Sequence, residues 1–216
     1  LGLARKAEIL RELGETYYRM GSHDKAIDYL KEAIEIEPRD IQAYMLLGDI
    51  LLMDGKIDGA IEYYRRVIDI DPTVHSAWSK LGNVYYSIQN FDEALRCFER
   101  VLDLDPMDVT SWLMIGNIYY SMGQYEKAEK SYRRVIEIDE LCVEAWNNLG
   151  QIFYIRGMLD KALECYKKAL ELRPDFAIAY YNIACIYYSR NMRREAQEFL
   201  RKALEMDPNM SMAWYY

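Results

Sequence analysis

A stride of 34 residues governs this chain. Gly14, Gly48, Gly82, Gly116 and Gly150 follow one another at that interval, and Ala184 stands one further period on. A second ladder, Ala26, Ala60, Ala94, Ala128, Ala162 and Ala196, repeats at the same interval without a miss. A fixed period of this size marks a repeat architecture, in which units too small to bury their own apolar surface stack on their neighbours. With Ile41 as slot one, six units run 7–40, 41–74, 75–108, 109–142, 143–176 and 177–210, and 211–216 open a seventh around Trp214. The expectation is one domain spanning 1–216.

Inside each unit the apolar positions step as they do on a helix. Slot four reads Leu10, Tyr44, Trp78, Trp112, Trp146 and Tyr180; slot seven Leu13, Leu47, Leu81, Ile115, Leu149 and Ile183; slot eleven Tyr17, Leu51, Tyr85, Tyr119, Phe153 and Tyr187. Spacings of four, seven to eight and eleven trace one stripe of an α-helix, where a strand would alternate. A second stripe joins Ala at slot twenty to Leu30, Tyr64, Phe98, Tyr132, Tyr166 and Leu200 at slot twenty-four and to Ala33, Val67, Val101, Val135, Ala169 and Ala203 at slot twenty-seven. Between the stripes stand Gly21, Gly55, Gly123 and Gly157, with Gln89 and Asn191 in the other two units, where a left-handed residue ends the first helix. Asp24, Asp58, Asp92, Glu126 and Asp160 follow at the positive end of the second helix. Pro38, Pro72, Pro106, Pro174 and Pro208 close their units, with Glu140 the exception. Each unit therefore reads as a helical hairpin. Glycine at slot eight and alanine at slot twenty let its two backbones approach, while the slot-four aromatic fills the gap to the next hairpin.

Composition narrows the function. A net charge of −8 makes a phosphate backbone a poor ligand, because affinity for nucleic acid comes largely from clustered Lys and Arg. The acidic excess sits in units one to three, so neutral or basic partners fit better, unless those charges merely solvate the outer helices. Runs such as Ile50–Met53 are far shorter than the roughly 20 apolar residues that span a bilayer, so no membrane segment is expected. Cys97, Cys142, Cys165 and Cys185 form no CxxC pair and suit reduced thiols in a cytoplasmic compartment. His23 and His75 lie at no metal-ligand spacing, and no phosphate loop or nucleophile elbow is present. No cofactor, metal or catalytic role is expected. The first residue is not Met and the last are Trp214-Tyr215-Tyr216, as in a segment of a longer chain.

The run Trp/Tyr-x-x-Leu-Gly-x-x-Tyr, then Ala-x-x-x-Tyr/Phe-x-x-Ala/Val, then Pro resembles the tetratricopeptide repeat across residues 7–210. The resemblance implies an all-α, right-handed superhelical α-solenoid of helix-turn-helix repeats whose first helices line a concave groove, and a scaffold that binds a peptide or helix of a partner protein. It also implies that slots two, five, six, nine, twelve and thirteen face the groove. Slot twelve then gives a tyrosine ladder at Tyr86, Tyr120, Tyr154 and Tyr188, which either grips apolar side chains or lies half-buried against the next helix. Slots six and nine give Asn83, Asn117, Asn148 and Asn182. A primary amide donates to a peptide carbonyl and accepts from a peptide N–H at once; the alternative is a solvated polar face. The pattern resembles the asparagine ladder in the repeat domain of O-linked N-acetylglucosamine transferases. The cationic clamp of co-chaperone members is missing, since Leu113, Ile178 and Asn182 stand where its Lys and Arg would be.

Two further roles stay open. The chain could be the substrate-recognition arm of a larger enzyme such as a glycosyltransferase, or it could associate weakly head to tail through an apolar face around Trp214.

Overall fold

The computed structural model describes residues 2–211, so the expectations that rest on Trp214 lie outside the described residues. Twelve α-helices and no strand occur among the described residues. They fall into two compact bodies, Leu1–Pro106 and Met107–Tyr216. The first holds α1 (Gly2–Arg19), α2 (His23–Ile36), α3 (Ile41–Met53), α4 (Ile57–Ile70), α5 (His75–Ser87) and α6 (Phe91–Leu104). The second holds α7 (Val109–Ser121), α8 (Tyr125–Ile138), α9 (Val143–Ile155), α10 (Leu159–Leu172), α11 (Ala177–Ser189) and α12 (Arg193–Met206). Except for α1, every first helix runs from slot one to slot thirteen, and every second helix from slot seventeen to slot thirty. The fold is the all-α helical-repeat solenoid the stride implies. No helix among the described residues is long and apolar enough to cross a membrane.

Each hairpin turns through the same hydrogen-bonded stop. The slot-fifteen N–H donates to the slot-twelve carbonyl and the slot-sixteen N–H to the slot-eleven carbonyl, as in Gly157 to Tyr154 and Met158 to Phe153, both at 2.9 Å. This pair of bonds places slot fifteen in the left-handed region. The four glycines there have φ between 70° and 74°, and the two residues that replace glycine follow, with φ 59° at Gln89 and 58° at Asn191.

Within a hairpin the helices meet where the first has no side chain. A Cβ added at Gly116 would lie 2.5 Å from Tyr132 Cε1, one at Gly48 2.5 Å from Tyr64 Cε1, and one at Gly150 2.6 Å from Tyr166 Cε1. At Gly82 the contact to the Phe98 ring relaxes to 3.0 Å. The slot-twenty-four side chain thus takes the space above the glycine, and Ala at slot twenty, fully buried in all six units, closes the other side.

The buried face of the first helices is broader than the expected stripe. Slots three and ten are among the most deeply buried positions, at Ala43 and Ile50, Ala145 and Ile152, Ala179 and Ile186, whereas slot eleven is half-buried in four of the six units. The reason is stacking. Slots three, seven and ten form the side that meets the preceding second helix: Ala43, Leu47 and Ile50 share a core with Ala26, Ile27 and Leu30, and Ala179, Ile183 and Ile186 share one with Leu163 and Tyr166. On α1, with no described hairpin before it, Ile9, Leu13 and Thr16 in the same slots are exposed. In units three, five and six the slot-four ring ties the unit to the loop that closes the one before it. Trp78 Nε1 donates to the Pro72 carbonyl (3.0 Å), Trp146 Nε1 to that of Glu140 (2.8 Å) and Tyr180 Oη to that of Pro174 (3.0 Å). Because the acceptor belongs to the backbone, Glu140 serves where the other units have proline.

Two substitutions probe this geometry in urea unfolding of the full chain. Gly116→Ala is expected to cost about 1–3 kcal/mol through overpacking against a ring that cannot retreat, and Gly82→Ala clearly less. Gln89→Gly is expected to gain about 1 kcal/mol by removing a side chain from a left-handed residue. Equal midpoints for the two alanine variants would show that the slot-eight approach is not what sets hairpin stability.

Candidate functional site

The polar positions of the first helices are wired by one recurring connection. In the first body Asp49 at slot nine of α3 accepts from Tyr64 Oη of its own hairpin (2.7 Å) and from Lys80 Nζ at slot six of the next first helix (2.8 Å). In the second body Asn117 at slot nine of α7 accepts on Oδ1 from Tyr132 Oη (2.9 Å) and from Asn148 Nδ2 (3.0 Å) at the equivalent positions. The same three slots are therefore filled once by an ion pair and once by neutral amides. The buried slot-twenty-four tyrosine explains the arrangement: its hydroxyl emerges beside slot nine and needs an acceptor there. Burial, with that hydrogen bond to Asp49 added, raises the Tyr64 pKa well above the ordinary phenol value.

In the second body the connection extends into a chain of amides. Asn182 Nδ2 donates to Asn147 Oδ1 (2.9 Å), Asn147 Nδ2 to Asn148 Oδ1 (3.2 Å), and Asn148 Nδ2 to Asn117. Asn147, at slot five and only 4% exposed, is a link that slots six and nine alone do not contain. Its signal was the Asn147-Asn148 pair, which puts two amides on adjacent groove slots. Of the expected asparagines, the structure brings Asn117, Asn148 and Asn182 together; Asn83 is exposed in the first body.

The amides are partly spent on each other, and both N–H groups and oxygen lone pairs remain. Asn117 carries two N–H groups whose one contact is Met114 Sδ at 4.0 Å, and Asn148 and Asn182 each keep a second N–H. The row is neutral and half-buried; its spare N–H groups match carbonyl oxygens of a ligand, and Asn182 Oδ1, which accepts no hydrogen bond among the described residues, matches an N–H. The ion pair of the first body is closed by comparison, with Lys80 held by Asp49.

The tyrosine ladder divides as well. Tyr86 packs on Phe91 (ring centroids 6.0 Å apart) and Tyr120 on Tyr125 (5.8 Å), each an aromatic at slot seventeen of its own hairpin. These two rungs are half-buried, and burial raises the Tyr120 pKa. In units five and six slot seventeen is Leu159 and Arg193, and the tyrosines open to solvent, Tyr154 at 38% and Tyr188 at 51% exposure. Apolar contact with a ligand is thus available at Tyr154 and Tyr188, while Tyr86 and Tyr120 serve their hairpins. Among the described residues no group of three or more His, Cys, Asp or Glu could hold a metal ion.

Stacked helical hairpins with a polar row along their first helices define a helical-repeat scaffold for protein interaction. Models described as tetratricopeptide repeat match residues 5–75, 73–141, 143–176 and 177–210, and the chain belongs to the tetratricopeptide repeat family. It is 40% identical over 45 residues to the Protein CTR9 homolog of Arabidopsis thaliana, which is 21% of this chain and spans only 4% of that relative's length. Among solved structures it resembles MamA, with 28% identity, a TM-score of 0.68, and coverage of 77% of this chain and 97% of that one. It also resembles YrrB, described as a TPR protein with an unusual peptide-binding site, at 27% identity and a TM-score of 0.66 over 86% of this chain and 96% of that one. PilF of Pseudomonas aeruginosa shares the fold, with 16% identity and a TM-score of 0.78 over 100% and 97% of the two chains.

Of the four free thiols, Cys97 lies on α6, Cys165 on α10, Cys142 at the N-cap of α9, and Cys185 alone on a helix of the row. Burial pushes the Cys97 thiol up to about 12 and the Cys165 thiol up to about 11, and it raises Cys142 and Cys185 less far. The thiolate is the reactive form, so a raised pKa keeps each group inert near neutrality. Iodoacetamide at pH 8 is expected to leave Cys97 and Cys165 unlabelled in the folded chain and to label all four cysteines in urea, read by mass spectrometry. Rapid native labelling of Cys97 would contradict the packing of α6 against α5.

Proposed function

We propose that the chain binds an extended segment of a partner protein along the first helices of its second body. Asn117, Asn148 and Asn182 donate to the segment's main-chain carbonyls, and Tyr154 and Tyr188 receive its apolar side chains. The observation that carries this reading is the set of spare amide N–H groups along a hydrogen-bonded row: two at Asn117, whose oxygen is fully engaged by Tyr132 and Asn148, and one each at Asn148 and Asn182. A peptide backbone offers carbonyls at a regular spacing whatever its sequence, so a neutral donor row suits it better than a fixed charge would. Asn147 is the positioning residue, buried between the two amides it holds. Asn83, with Tyr86 beside it, offers a lone amide in the first body. There the acidic excess of units one to three favours a neutral or basic stretch of partner. The reading of 1–216 as one repeat domain belongs to the same proposal and rests on the unbroken 34-residue stride. A reducing compartment such as the cytoplasm suits four free cysteines.

The test is a substitution that removes donors and leaves acceptors. Asn117→Asp keeps an oxygen for Tyr132 and Asn148, as Asp49 does for Tyr64 and Lys80, so the fold is expected to survive with an unchanged melting curve. Peptides selected from a random display library against the full chain are expected to bind this variant about tenfold more weakly, a loss of about 1.4 kcal/mol. Unchanged affinity in a folded Asn117→Asp chain would show that the amide row does not hold the ligand.

A further inference from the structure

The turns of units five and six differ from the other four in a way the repeat does not require. Slot sixteen, whose N–H completes the helix stop, is Ser22, Lys56, Asn90 and Gln124 in units one to four and then Met158 and Met192. Both methionines are exposed, as are Tyr154, Ile155 and Tyr188 from the ends of the two first helices. Slots twelve to sixteen of consecutive hairpins in the second body therefore expose five large apolar side chains in ten positions, whereas the same slots of unit four expose Met122 alone, with Tyr120 packed on Tyr125 and Ser121 and Gln124 beside it. Scattered exposed apolar residues are ordinary, but a patch joining tyrosine and methionine marks a surface for an apolar partner, because both offer large contact area and methionine adapts its shape.

Charge beside the patch reverses as well. Slot eighteen is acidic in units one to five, and in units four and five that acid pairs with an arginine at slot fourteen of the next hairpin: Arg156 with Glu126 at 2.9 Å, Arg190 with Asp160 at 2.7 Å. In unit six slots seventeen and eighteen are Arg193 and Arg194, exposed and with no ion pair among the described residues. Arg193 occupies the slot whose aromatic packs on the ladder tyrosine in units three and four, so a cation takes that slot in unit six, where Tyr188 is 51% exposed. The turn of unit six and the start of its second helix carry Arg190, Arg193 and Arg194 against Glu195 in sequence, with Arg190 paired to Asp160, so cations outnumber anions there although the whole chain carries −8. At physiological salt, charges further off than about 8 Å are largely screened, so this local balance decides what docks.

We infer that the turn edge of units five and six docks a partner segment whose apolar side chains lie on Tyr154, Ile155, Met158, Tyr188 and Met192 and whose flanking acidic residues meet Arg193 and Arg194. The occupant is an acidic amphipathic segment of another protein. The inference rests on the proposed function in sharing Tyr154 and Tyr188, and it adds the ligand's charge and the edge by which it leaves the amide row. Like-charged segments are excluded there, which gives selectivity that backbone recognition alone lacks.

Two short fluorescent peptides with the same leucine and phenylalanine face, one flanked by glutamates and the other by lysines, test this against the full chain by anisotropy. The glutamate peptide is expected to bind about tenfold tighter than the lysine peptide, with the gap narrowing as salt rises. Arg193→Glu combined with Arg194→Glu, at two exposed positions where circular dichroism checks the fold, is expected to invert that preference. Met158→Ser with Met192→Ser is expected to weaken both peptides. Equal binding of the two peptides, or a preference that survives the charge reversal, overturns the inference. So does a dimer of the chain that the charge reversal dissolves, because the occupant would then be a second copy. Loss of glutamate-peptide binding in Asn117→Asp but not in the arginine variant supports the amide row and rejects this edge. Loss in the arginine variant with Asn117→Asp unaffected supports the edge and rejects the amide row.

Discussion

The close approach of two helix backbones at one missing side chain holds this molecule together. At slot eight the first helix offers glycine, and the slot-twenty-four ring of the second helix lies where a Cβ would be, 2.5 Å away at Gly48 and Gly116. That approach sets how far the hairpin closes, and so how far the slot-twenty-four hydroxyl reaches. At Tyr64 and Tyr132 it reaches slot nine of its own hairpin. At these two positions the polar connection follows from hairpin packing: the buried tyrosine finds its acceptor at slot nine, and that acceptor also holds the next unit's slot-six side chain. Core and site are two ends of one side chain.

Stacking adds the second constraint. A hairpin of two helices of 13 and 14 residues leaves slots three, seven and ten bare, and only a neighbouring hairpin covers them. The exposed Ile9 and Leu13 on α1 show the same surface uncovered. Between neighbours, specific bonds supplement apolar burial: slot-four rings reach the carbonyl of the preceding loop, and Arg156 and Arg190 reach acids on the preceding second helix. Exposed ion pairs of this kind contribute at most about 1 kcal/mol each, so they orient neighbours more than they bind them.

A repeated backbone frees particular slots to vary without cost to the fold, and function is written in that variation. The slots joining Tyr64, Asp49 and Lys80 also join Tyr132, Asn117 and Asn148, yet one set is closed by charge and the other keeps free amide donors. Slot seventeen covers the ladder tyrosine with Phe91 or Tyr125 in the middle units and leaves it open beside Leu159 and Arg193 in units five and six. Differences of one residue against a constant scaffold are what let such chains take different partners.

The sequence by itself determined the unit boundaries, the helix ends and the left-handed turns, because these depend on local periodicity and on bonds within a few residues. Gln89 and Asn191 were legible as turn residues from their slot alone. It also named the amide and tyrosine slots as candidates. Only the tertiary structure decided which of those side chains are spent and which are open. Asn147 became the link of the row, Tyr86 and Tyr120 were claimed by their own hairpins, and slots three and ten emerged as core, because each outcome depends on a neighbour one hairpin away or across the turn. A stripe read along one helix shows which side chains share a face, but what meets that face is set by the distance between backbones.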